Sequence, residues 1–151
     1  MENINRLDRV SIFGDKLSFL VPHDWVEEVD EDHYLYYEPG TDSGWLRVTL
    51  LTMGPFDDRS PAEHLQQLCG SNEHVVEDST HNVVCASEKD SEEEGKRIHI
   101  YHWKVANVVP PDLVREALFS FTVLQDRRYK EGTSQAVKII GQLVSQAQFL
   151  Q

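Results

Sequence analysis

Leu17-Ser18-Phe19-Leu20-Val21 is a short apolar run closed by Pro22, and Trp25 follows three residues after the proline. Proline has no N–H to give to a ladder, so the run reads as a strand with a defined end. It stands early in the chain, ahead of a long series of further strand signals. That order constrains the fold, and it points to no particular reaction.

The strands are placed by alternation and by turn residues. Segments 10–13 and 17–21 flank Gly14-Asp15, a pair suited to a tight hairpin because glycine accepts positive φ. A strand is expected at 34–38, then turns at Pro39-Gly40 and Ser43-Gly44. Segment 45–53 alternates, with Leu46, Val48 and Leu50 on one face and Trp45, Arg47, Thr49 and Leu51 on the other. Ser60-Pro61-Ala62-Glu63 combines an N-cap, a proline at the first helical position and a capping-box glutamate. This predicts a short helix over 60–69, stopped at Gly70. Strands are expected at 74–77, 82–87, 96–105 and 113–124, with residues 89–94 as a charged hairpin tip and Pro110-Pro111 between the last two strands. Thr133 is expected to cap a final helix whose Ala136, Ile140, Leu143, Ala147 and Leu150 form one apolar stripe. The expected fold is α+β: a mostly antiparallel sheet of about seven strands, a short internal helix and a C-terminal helix packed on the sheet, in one domain over 1–151.

Length and charge exclude several classes. A chain of 151 residues buries roughly 68–70% of its unfolded surface and needs neither metal nor disulfide to fold. Acidic residues outnumber basic ones 26 to 14, giving a formal net charge of -12. Nucleic acid and anionic membrane both reward clustered Lys and Arg, so neither is expected as a partner. No segment approaches the ~20 apolar residues of a membrane span, and residues 1–10 contain no apolar stretch of a secretory signal. The two cysteines, Cys69 and Cys85, lack CxxC spacing; they are expected as reduced thiols in a cytoplasmic protein.

The residues 19–25, Phe-Leu-Val-Pro-His-Asp-Trp, resemble the apolar strand followed by Pro and Trp of the PsbP-like (Mog-type) fold family, including small bacterial proteins that share it. The helix at 60–69, the late strand containing Phe119-Ser120-Phe121-Thr122-Val123 and the closing helix near Phe149 are similar in order, so the resemblance spans nearly the whole chain. It implies α/β/α layering of an antiparallel sheet. Better known members bind proteins, a Ran-type GTPase in one branch and photosystem II in another. None of their binding residues matches this chain position by position.

Catalytic patterns are missing from the sequence. His99 and His102 point to opposite faces of an extended strand, and neither HExxH nor a Cys/His pair at zinc spacing occurs. No metal, cofactor or catalytic residue is expected. There is no GxSxG elbow and no glycine-rich phosphate loop. Cys85, among Val83, Val84 and Ala86, reads as a buried small residue, and the acidic runs Asp30-Glu31-Asp32, Asp57-Asp58 and Glu92-Glu93-Glu94 as solvated turns.

An aromatic pattern remains. His99, Tyr101 and Trp103 share one face of their strand, with Arg97 beside them, and Trp45 and Arg47 share a face of an earlier strand. Trp, Tyr and Arg are enriched in binding hot spots, though such a face serves equally as core. The expected function is a non-enzymatic protein-binding module of adaptor, immunity or chaperone type, using Trp45, Arg47, Arg97, His99, Tyr101 and Trp103 on a protein partner. The alternative is a small-ligand-binding or enzymatic domain with a pocket near Tyr101 and Trp103.

Overall fold

The computed structural model describes residues 6–40, 44–51, 74–76, 82–109 and 113–150. Among these, ten strands form two sheets. The strands are β1 (Leu7–Ile12), β2 (Leu17–Pro22), β3 (Val26–Asp30), β4 (His33–Tyr37), β5 (Trp45–Leu51), β6 (His74–Val76), β7 (Val83–Glu93), β8 (Lys96–Val109), β9 (Leu113–Leu124) and β10 (Gln148–Phe149). A single 3-10 turn, Gln125–Arg127, leads to helix α1, Glu131–Ser145. The larger sheet has the order β3-β4-β5-β9-β8-β7-β6, and the smaller β1-β2-β10. All pairings are antiparallel. The expected helix at 60–69 and the prolines at 110–111 lie outside the described residues.

The seven-stranded antiparallel sheet meets the expectation, but the N-terminal hairpin is not part of it. The physical reason is burial. Leu17, Phe19 and Val21 are 0%, 1% and 4% exposed, so β2 is packed face-on beneath the large sheet. Phe19 sets its ring edge against Tyr36 at 5.4 Å and against Phe119 at 5.3 Å. Pro22 ends β2 as its chemistry requires; its carbonyl accepts the Trp25 N–H at 3.1 Å, and Trp25 stacks on Phe121. The Pro–Trp pattern is therefore a turn that carries the chain from the small sheet to the edge of the large one. Gly44, at φ +106, enters β5 so close to β9 that a Cβ would lie 2.7 Å from the Thr122 carbonyl; only glycine fits that approach.

Helix α1 shares the core face with β2. Ile140 and Val144 are buried, and Trp103 lies under the helix at Gly141. Two expectations are corrected here. Thr133 is inside the first turn and buried, while Lys130 occupies the N-cap without a side-chain cap bond. The helix also stops at Ser145 instead of running on to Leu150. Buried Asn82 donates to the carbonyls of Ser145 (3.3 Å) and Ala147 (2.5 Å), and residues 148–149 then pair with β2. Arg115 continues this tie, donating to the Phe149 carbonyl at 3.4 Å and to Asn107 at 2.7 Å. The free carbonyls of a helix end need partners; here the N–H groups of Gln146 and Ala147 take those of Leu143 and Val144, and Asn82 takes that of Ser145.

Two further elements differ from expectation. β3 is a strand whose five residues are all exposed, so no apolar alternation marks it. β7 runs through Lys89 to Glu93, and the tip is only Glu94-Gly95, both at positive φ, the geometry of a two-residue hairpin turn. Cys85 is buried as expected, but it is disulfide-bonded rather than a free thiol. The chain's other cysteine, Cys69, lies outside the described residues.

Candidate functional site

The register divides the expected binding residues between the two faces of the large sheet. On β8, Tyr101 and Trp103 lie across from Phe121 and Phe119, the side that carries the core. Trp103 is 7% exposed and belongs to that core, while Tyr101 is half-buried and packs against it. The Ile98/Ile100 side does not pack on the terminal helix, as a patterned strand alone would allow; the aromatic side does. Trp45 and Arg47 face the opposite way, across from Thr122 and Ser120. Arg97 is exposed at the outer end of β8, across from Glu92.

His99 lies on the core side near the hairpin end, and it is 2% exposed. Its Nδ1 is 2.6 Å from Asp90 Oδ1 and its Nε2 is 2.9 Å from Glu88 Oε1. Each ring nitrogen thus faces one carboxylate oxygen, Asp90 on one side and Glu88 on the other. Arg128 closes the cluster at 3.3 Å from Glu88 and 3.8 Å from Asp90. The His99 hydrogen bond, reinforced by charge, holds the Asp90 carboxyl below its ordinary value against some desolvation. Burial and the Glu88 carboxylate push the Tyr101 hydroxyl up, with Arg128 opposing. This cluster joins the β7–β8 hairpin to the turn before α1.

The other face offers more accessible chemistry. Tyr37 sits across from both Trp45 and Val26, and Leu35 across from both Arg47 and Glu28. Such cross-strand neighbours lie about 5 Å apart. Trp45, Tyr37 and Leu35 are half-buried, Val26 is 37% exposed and Arg47 is exposed. The Tyr37 hydroxyl donates to Glu28, and this bond pushes the phenol pKa up. His33 and Asp30 pair at 3.3 Å one row further on. Three rows of aromatic, aliphatic and charged groups thus share one surface over β3, β4 and β5.

Sequence reasoning found Trp45 and Arg47 of this surface and missed Tyr37, Leu35, Val26 and Glu28. The alternation His33-Tyr34-Leu35-Tyr36-Tyr37 contains the signal, but only the register with β5 shows which half joins Trp45. Further along the same face, two groups are buried without full pairing. His102 Nε2 and Glu116 Oε1 lack hydrogen-bond partners. Burial, with Lys89 and Lys104, pushes the His102 pKa down; burial pushes that of Glu116 up against the pull of Lys104.

The architecture is matched among solved structures. A crystal structure from Bacteroides thetaiotaomicron aligns with a TM-score of 0.64 at 19% identity over 95% of this chain, and this chain spans 48% of that one. Mog1p, the Ran-binding protein of Saccharomyces cerevisiae, aligns with a TM-score of 0.55 at 12% identity over 95% of each chain. LpqN of Mycobacterium tuberculosis, involved in cell envelope biogenesis, aligns with a TM-score of 0.56 at 15% identity over 97% of this chain and 93% of its own. At such identities the likeness concerns the fold. No family model matches the chain, and no curated protein matches it. The fold is the Mog-type fold that the sequence resembles.

Proposed function

We propose that this chain is a protein-binding module whose binding surface is the outer face of β3, β4 and β5, around Trp45, Arg47, Tyr37 and Leu35. The observation that carries the reading is the accessible grouping of Trp45, Tyr37 and Arg47 beside exposed Val26. These are the residue types that dominate protein interfaces, set in a rigid sheet that costs little ordering entropy on binding. The fold shared with a Ran-binding protein supports the same class of function. Of the other residues first considered, Arg97 is exposed at a distance along β8, while His99 and Trp103 are buried and act through the core and the carboxylate cluster.

The test uses Trp45→Ala and Arg47→Ala together. A partner captured from the source cell is identified by mass spectrometry, and its affinity is measured for both proteins. Urea unfolding of the variant should change by less than about 1 kcal/mol, while binding weakens by about 2 kcal/mol, roughly thirtyfold. Unchanged affinity with unchanged stability removes this face as the binding surface.

A further inference from the structure

We propose that β3 is a docking edge that takes an extended, basic segment of a partner protein as an eighth strand of the large sheet. The proposal rests on the reading of this chain as a protein-binding module and gives the partner its chemistry.

β3 is the last strand of the large sheet on its side, with a neighbour only at β4 among the described residues. Alternate N–H and C=O groups of such a strand point outward and are open to another strand. All five residues are exposed, with Val29 at 62% and Val26 at 37%. Natural edges are commonly blunted with charged side chains, lysine above all, or with proline, a bulge or a covering element. β3 pairs with β4 in unbroken register over its full length, and it contains neither lysine nor proline. Its charges are Glu27, Glu28 and Asp30, and each is engaged by β4. Glu27 accepts the Tyr36 hydroxyl at 2.7 Å, Glu28 accepts the Tyr37 hydroxyl, and Asp30 pairs with His33. The carboxylates are therefore fixed in position along the edge.

Their spacing selects the occupant. Glu28 and Asp30 project on one face of β3, and Glu27 and Val29 on the other. An added strand with Lys or Arg at alternate positions meets the first pair, and an apolar residue on its other face covers Val29. A second copy of this chain fits poorly. Two antiparallel β3 edges centred on Glu28 would set that carboxylate against itself, in molecules that each carry a net charge of -12. Directly opposed like charges destabilise a strand pair.

The probe is a synthetic heptapeptide alternating Lys or Arg with Val, titrated onto the full chain. Its control carries N-methyl groups on alternate amides, which keep charge and shape but block ladder bonds. Strand addition slows amide exchange within Val26–Asp30 at least tenfold, weakens at least tenfold for the N-methylated peptide, and weakens about fivefold for the Glu28→Gln, Asp30→Asn variant. Equal binding of the N-methylated peptide, or protection confined to other strands, overturns the proposal. So does a concentration-dependent dimer in sedimentation that protects the same amides. If the peptide fails while the Trp45/Arg47 variant still loses its captured partner, strand addition falls and the protein-binding reading stands.

Discussion

His99 was expected on a binding face because it alternates with Tyr101 and Trp103. The structure places it on that face, but buried, with Asp90 and Glu88 at its two ring nitrogens. Alternation gives the face of a side chain; it does not say which face is covered. The pairing has a pH consequence. The folded pKa of Asp90 lies below its ordinary 3.8. Its contribution to stability is therefore complete above 3.8 and is lost as pH falls through the folded value. Asp90→Asn should be less stable than the parent at pH 7 in urea unfolding, and the difference should shrink toward zero on the acid side of 3.8. A difference that persists undiminished in acid would show that the carboxylate charge is not involved. Glu116 carries the opposite sign. It is 1% exposed, and burial raises its pKa above the ordinary 4.5. Stability then falls as pH rises from 4.5 through the folded value. Glu116→Gln should remove this dependence and raise stability at pH 7, because the neutral amide does not carry the carboxylate's cost of burying a charge. A loss at pH 7 would mean that attraction to Lys104 outweighs the cost of burial.

The elements most visible in the sequence were those with one buried face. β2, β5, β9 and the body of α1 follow from apolar spacing alone. β3 has no buried residue and carries no such signal, and the charged half of β7 lacks it for the same reason. The apolar spacing of the helix continues through Ala147 and Leu150, but Asn82 and the edge of β2 draw the chain out of the helix at Ser145. The difference between Ile140 and Leu143 tests the corrected helix face. Ile140 is 2% exposed and belongs to the core, whereas Leu143 is half-buried. Ile140→Ala should cost about 2–5 kcal/mol, and Leu143→Ala clearly less, both read from urea midpoints. Equal losses would mean that the helix is rotated from the orientation described.

The disulfide at Cys85 bears on the protein's stability. The expectation of reduced thiols is corrected at Cys85, which is disulfide-bonded. A reductant should lower the melting midpoint, and Cys85→Ser without reductant should lower it similarly, because both remove the same cross-link. Such a loss is typically about 2–4 kcal/mol. An unchanged midpoint in both would show that the cross-link adds nothing to the fold.

The composition and local patterning were sufficient for an acidic α+β chain, for most strands of the antiparallel sheet and for its Mog-type order. These are properties of nearest neighbours: proline stops a ladder, glycine turns it, and apolar residues recur at the period of the element. Which side of β8 meets the helix, and whether Trp45 joins Trp103 or Tyr37, depended on strands distant in sequence. Strand register is decided by how whole faces fill the core, so one partner strand settles many side chains at once. Here Phe19 packs against Tyr36 and Phe119, and α1 lies over Trp103 at Gly141, so both cover the same face of the large sheet. Trp45, Tyr37 and Arg47 are on the side turned away from that core.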